Sequence, residues 1–181
     1  MIVIGIDPGL TGALVAMGRF EPIAISMPVI GTGKRGRRQV DAKGLKEWLD
    51  RVAVFDDEPP HVFIEKVFAM GRHLDKRTGR MVGQSTMTAF TFGMGYGIIL
   101  GVVESLGFPH TLVSPKTWQK AMLRDLAHED TKKASVWRAN QLFPHVQLKR
   151  TSRSRIDDHG MADALLIAEY GSRQLRGERV F

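Results

Sequence analysis

The chain has 181 residues, 43% of them hydrophobic and 25% charged, enough apolar material for one core and a composition outside the disordered and fibrous classes. Lys and Arg number 26 against 19 Asp and Glu, a formal net charge of +7, which favours a polyanionic partner, with nucleic acid first among them. The absence of cysteine excludes disulfides, thiolate zinc sites and a cysteine nucleophile.

The first residues enter a strand at once: Ile2 to Ile6 is a β-branched apolar run stopped by Asp7-Pro8-Gly9. Strand character returns from Gly12 to Met17 and from Pro22 to Met27, which predicts a meander. Gly31 to Arg38 is rich in glycine and positive charge and reads as a mobile loop. Asp41 stands where an N-cap belongs, with Leu45, Trp48, Leu49 and Val52 at helical spacing, so a helix is expected over 41 to 54. His61 to Val67 is a fourth strand and carries Glu65. The basic segment after it, with Arg72, His73, Lys76, Arg77 and Arg80, reads as a loop beside a ligand.

A long helix is expected from Gln84 to Leu106, although Gly93, Gly97 and Gly101 recur within it and each costs about 1 kcal/mol relative to Ala. Their four-residue spacing puts them on one face, where a backbone can approach closely, either the sheet of this chain or a second copy. The surrounding uncharged stretch is interrupted by polar and glycine residues, and its solid apolar part is too short to span a bilayer. Pro109 to Ser114 is the fifth strand, and Ser114-Pro115 opens a short helix with Trp118 and Met122 on one side. Further helices are expected over 131 to 143 and 160 to 175, separated by the basic run Lys149 to Arg155. The order predicts an α/β chain, helices flanking a mixed five-stranded sheet in a single domain. With no targeting signal at the N-terminus, a soluble cytoplasmic protein is expected, of a bacterium or a phage-infected cell, although a mature organellar chain would read the same.

Four acids lie at the ends of apolar elements, where a carboxylate needs a partner: Asp7, Glu65, Asp158 and Asp163. Neighbouring strands would bring the first two together. Gathered carboxylates repel one another, and such hard oxygen donors suit Mg²⁺ or Mn²⁺; two ions can activate water and stabilise the leaving oxygen in phosphodiester cleavage. Each acid also has a plainer role open to it: turn amides for Asp7, an ion pair for Glu65, a helix cap for Asp158.

The runs Ile4-Gly5-Ile6-Asp7-Pro8-Gly9, Ile64-Glu65-Lys66-Val67-Phe68 and Asp163-Ala164-Leu165-Leu166-Ile167-Ala168 resemble, in order and spacing, the three motifs of the RuvC-type Holliday junction resolvases. Ser114-Pro115-Lys116-Thr117-Trp118 and Lys132-Lys133 resemble that family's basic substrate contacts. The resemblance covers nearly the whole chain. It implies an RNase H-like fold, a homodimer, and paired nicking of four-way DNA junctions with Mg²⁺ or Mn²⁺, two ions per site. It also implies metal-binding roles for Asp7, Glu65 and Asp163 and a junction-wedging role for Phe68. One position departs from it: bacterial members carry Asp or His three residues before the last acid, and here that residue is Gly160. Asp158 then resembles the fourth acid of the phage and plant-organelle branches, provided it precedes the helix proper; His159 competes for that role and Asp157 less so.

Five basic groups accompany the acids, each in or beside a loop or helix start, as phosphate contacts would be. They include Arg72, Arg77, Arg80, Lys116, Lys120, Lys132, Lys133, Lys149, Arg150 and Arg153. Lys116 and Lys133 are the candidates for the scissile phosphate, Lys133 with a catalytic role. Three other readings compete: a lobe of an actin-like sugar kinase, on the Asp7 to Gly12 loop; a catalytically inactive junction-binding protein; and an RNase H-type or flap nuclease using the same acids.

Overall fold

The computed structural model describes residues 1–32, 37–68, 73–75, 78, 80–83, 85–126 and 130–178. Strands β1 (Val3–Asp7), β2 (Ala13–Met17) and β3 (Ile23–Ser26) form the expected antiparallel meander. A hairpin of β4 (Val29–Thr32) and β5 (Arg37–Val40) follows, then α1 (Ala42–Ala53), β6 (His61–Glu65) and a second hairpin of β7 (His73–Asp75) and β8 (Arg80–Val82). Helix α2 (Thr86–Ser105), strand β9 (His110–Val113) and helices α3 (Pro115–Leu123), α4 (Thr131–Leu142) and α5 (His159–Leu175) complete the chain. The main sheet has the order β3-β2-β1-β6-β9, with β6 parallel to β1 and β9 parallel to β6.

Two expectations are corrected. The glycine-rich basic stretch after residue 30 and the basic segment after Phe68 are not plain loops: each contains a two-stranded hairpin. Charged and glycine residues hid the alternation there; the strands of each hairpin satisfy one another's backbone groups, and the first hairpin also joins the core through the buried Val40.

Side chains alternate across β1. Ile4 and Ile6 face a layer formed with Leu45, Leu49 and Ile99 of α1 and α2; Val3 faces the other layer, which holds α3, α4 and α5. Gly5 lies on that second face, and a Cβ there would stand 2.2 Å from the Ala164 carbonyl oxygen and 2.4 Å from the Ala168 nitrogen. The strand and α5 therefore meet backbone to backbone. Helix α5 is buried almost all round from Gly160 to Gly171, as a helix inside a core must be.

Asp41 caps α1 through Lys43 N–H, Ser114 caps α3 through Thr117 N–H, and Asp158 caps α5 through Met161 N–H. Helix α2 behaves differently from α5. Against the expectation that its apolar part is too short to span a bilayer, it is long and apolar enough to cross a membrane by length and composition, and it is mostly uncovered, with only Gly95, Ile99 and Val103 buried. Among the described residues, a Cβ at Gly93, Gly97 or Gly101 would meet nothing within 4 Å, so the glycine stripe does not pack against the main sheet.

Candidate active site

Asp7 is the last residue of β1 and Glu65 the last of β6, and these strands are parallel neighbours with Ile6 opposite Ile64. The two carboxylates thus lie side by side at the carboxyl edge of the sheet, where crevices form in open α/β sheets. Both occupy the odd-numbered face of their strands, the face on which Gly5 meets α5. Asp163 lies in the second turn of α5, and the charges of Asp7 and Glu65 both raise its pKa. Three acids from three distant segments therefore share one electrostatic site.

Each of the three is pushed above the ordinary carboxyl range. Burial is the largest cause for Asp7; the Gly9 amide, donating to Oδ1 at 3.3 Å, and the charges of His159 and Arg150 pull it back, while Asp158 adds to the rise. Burial also raises Glu65, against the Trp118 indole N–H that donates to Oε1 at 2.8 Å, and Asp7 raises it further. Asp163 is pushed up to about 7, first by burial, then by the two neighbouring carboxylates, with Ser135 and Lys132 opposing. Ser135 faces it without reaching hydrogen-bonding geometry, so Asp163 Oδ1 is buried with no partner among the described residues. Such an atom carries an uncompensated desolvation cost.

Asp158 precedes α5 as its N-cap, the placement that a five-residue spacing from Asp163 requires. Both its oxygens are engaged: Oδ1 accepts from Met161 N–H at 3.1 Å and Oδ2 from Arg150 Nε at 2.8 Å. Arg150 also donates to the Thr11 carbonyl, tying the turn after β1 to the entry of α5. Gly160 sits beneath this bridge. A Cβ there would stand 2.7 Å from the Thr11 carbonyl oxygen and 3.1 Å from both Asp158 Oδ1 and Asp7 Oδ2. The glycine that departs from the resemblance is therefore required by close packing at the site. Asp157 is held by Asn140 Nδ2 at 2.8 Å.

The fit to a divalent cation can be judged from these contacts. Among the described residues, no group of three or more His, Asp or Glu side chains forms a ready-made metal cage. The donor set is nonetheless that of a hard cation, oxygen ligands alone from Asp7, Glu65 and Asp163. Their shared upward pKa shift and the orphaned Asp163 oxygen are what carboxylates display when a counter-charge is missing.

The predicted basic residues divide into groups. Lys116 and Lys120 of α3 line one recess with Arg124 and Thr131. Lys132, Lys133 and Lys149 line a second with His159, and Lys132 rather than Lys133 is the ammonium whose charge acts on Asp163. Arg150 is turned inward onto Asp158, and Arg153 is exposed. Phe68 is 55% exposed, with the Lys66 ammonium 5.4 Å from its ring centroid. Arg72 and Arg77 lie outside the described residues, as does the side chain of Arg80. Sequence reading missed Ser135 and the link from Trp118 to Glu65. Both residues sit on apolar helix faces, where spacing marks them as core and gives no sign of an acid behind them.

No protein-family model matches the chain, and no curated protein sequence does. Solved structures do match in three dimensions, two of RuvC among them. Thermus thermophilus RuvC superposes with a TM-score of 0.56 at 21% identity, covering 98% of this chain and 97% of that one. T. thermophilus RuvC in complex with Holliday junction substrate superposes with a TM-score of 0.57 at 20% identity, covering 98% and 96%. The chain has a RuvC-type, RNase H-like fold over nearly its whole length.

Proposed function

We propose that the protein is a structure-selective endonuclease that resolves four-way DNA junctions by paired, metal-dependent phosphodiester hydrolysis. The observation that carries this reading is the convergence of Asp7, Glu65 and Asp163 at the carboxyl edge of the sheet. A RuvC-type fold and a rim of exposed lysines support it.

Asp7, Glu65 and Asp163 would hold Mg²⁺ or Mn²⁺, with Asp158, whose oxygens already accept from Met161 N–H and Arg150, as a fourth ligand through a remaining lone pair. The metal would supply Lewis acidity and a water nucleophile at neutral pH. Trp118 orients Glu65 through its indole N–H, leaving the second carboxylate oxygen for the ion. The link from Arg150 to Asp158 and Thr11 fixes the turn that carries Asp7. Lys132, close enough to act on Asp163, is placed to stabilise negative charge at the phosphate, with Lys133 beside it. Lys116, Lys120, Lys149 and Arg153 would contact flanking phosphates, and Phe68 would enter the branch point.

Two matched cuts call for two sites related by two-fold symmetry, as in a homodimer. The uncovered face of α2 suits the seam: it exposes Met87, Phe90 and Met94 beside glycines that face open space.

The test is incubation with a labelled four-way junction, a matched duplex, a flap and an RNA/DNA hybrid, each with Mg²⁺, Mn²⁺ or EDTA. Symmetric metal-dependent nicks in the junction alone are expected. Cutting confined to the hybrid or flap would replace the substrate, and tight junction binding without cuts in either metal would remove the catalytic role.

A further inference from the structure

Beside the acids lies a cavity of about 800 Å³ between α4 and the segment 149–157. Its chemistry is unlike that of an ordinary phosphate groove. Lys132, Lys133, Lys149 and Arg155 surround it, yet Trp137 and Ile156 also line it, and these two large apolar side chains are 46% and 81% exposed. Lys132 and Lys133, Val136 and Trp137, and Asn140 recur at helical spacing, so one face of α4 forms a wall. The opposite wall is pinned by the hydrogen bond from Asn140 to Asp157 and by Asp158 N–H donating to the Leu148 carbonyl at 2.6 Å. The guanidinium of Arg138, itself held by Asp125 and Gln141, lies 5.7 Å from the Trp137 ring centroid and braces the indole.

An exposed indole ringed by cations is the combination that takes a nucleobase by stacking and its phosphates by charge. The cavity also adjoins the acids: His159 lines it while its charge acts on Asp7, and Lys132 lines it while acting on Asp163. We propose that this cavity receives one unstacked nucleotide of the DNA strand that enters the active site, with its base on Trp137 and its flanking phosphates on Lys132, Lys149 and Arg155. This rests on the nuclease reading above and adds to it a base-holding subsite. A strand opened at a junction presents such a nucleotide, whereas continuous duplex withholds it, so the subsite would contribute to structure selectivity.

The three tryptophans make the test direct, because Trp48 and Trp118 are buried and only Trp137 is open to solvent. Intrinsic fluorescence is titrated in EDTA with a four-way junction, a matched duplex and a single-stranded oligothymidylate, using the wild type, Trp137→Ala and Trp137→Phe. Quenching by junction and oligothymidylate but little by duplex is expected. Trp137→Ala should lose the quench and bind both ligands roughly 10-fold more weakly, while Trp137→Phe restores most of the affinity. Far-UV circular dichroism confirms that each variant folds. Junction binding and cutting that proceed without quenching, and are unaltered in Trp137→Ala, would overturn the subsite and leave the nuclease reading standing. Quenching by oligothymidylate with no junction binding would leave the subsite and overturn the junction reading. No quenching by any ligand would overturn the subsite whatever the enzyme cuts.

Discussion

Helices α2 and α5 are the two longest in the molecule and both are rich in apolar residues, yet the chain treats them in opposite ways. Helix α5 is enclosed by β1, β2, α3 and α4, and its second turn carries Asp163 of the site. Helix α2 rests on α1 and β5 along one side and leaves the rest open. Glycine marks close approach for each in a different manner. For α5 it is supplied by the strand at Gly5 and by the helix at Gly160 and Gly171, and is already used; for α2 it lies at Gly93, Gly97 and Gly101 and meets nothing among the described residues. The contrast teaches that a small-residue position shows where something can come close, while only the fold shows whether it has done so.

The largest effect should come from breaking the enclosed contact. Gly5→Val would drive a branched side chain into the α5 backbone and should cost about 3 kcal/mol or more, through overpacking that cannot be relieved without moving the helix. Denaturant unfolding measures it, and a loss below 1 kcal/mol would mean that α5 can slide. Asp7→Asn disturbs the same region through charge alone. On the proposed mechanism cutting should fall at least about 100-fold, since several kcal/mol of charge stabilisation would depend on the metal, while gel-shift affinity for the junction is kept. Wild-type cutting rates in that variant would show the metal site to be misplaced.

Asp163 sharpens the comparison through pH. With its carboxyl pushed from 3.8 to about 7, the native chain holds a proton between those values that the unfolded chain has released. The native state therefore binds more protons, and this group's contribution to stability falls as pH rises from about 4 to about 7. Asp163→Asn should remove that slope and stabilise the metal-free protein at pH 8 by on the order of 2–4 kcal/mol, read as a higher Tm. An identical Tm-against-pH profile in variant and wild type would mean that the carboxylate is not held in a costly environment.

On the open helix, Gly97→Leu should leave monomer stability within about 1 kcal/mol of wild type while breaking the proposed dimer, read in sedimentation velocity as a dimeric wild type and a monomeric variant. A variant that remains dimeric would place the seam elsewhere. The smallest change is expected from Trp118→Phe, which removes one hydrogen bond to Glu65 at a cost of about 1–2 kcal/mol and moves the acidic limb of the cutting profile upward. A profile that does not move would assign Trp118 to packing alone.

Much of this was legible in the chain. Strand and helix order followed from apolar runs and their punctuation, because Asp7-Pro8-Gly9, Asp41 and Ser114-Pro115 act on their own local backbone. The acids were visible as carboxylates at the ends of apolar elements, where solvation alone would not put them. Their separations in the chain say nothing of convergence, which parallel pairing of β1 with β6 and the backbone contact of Gly5 with α5 decided. The hairpins β4–β5 and β7–β8 escaped because charged and glycine residues in those segments mask the two-residue alternation that marks a strand. The inward turn of Arg150 escaped because charge in a sequence carries no direction. The role of Gly160 needed the Thr11 carbonyl above it. Local propensity and patterning belong to neighbours within a few residues and can be read in one dimension; burial, pKa and the partner of each charge depend on atoms brought from far along the chain, and those only packing can supply.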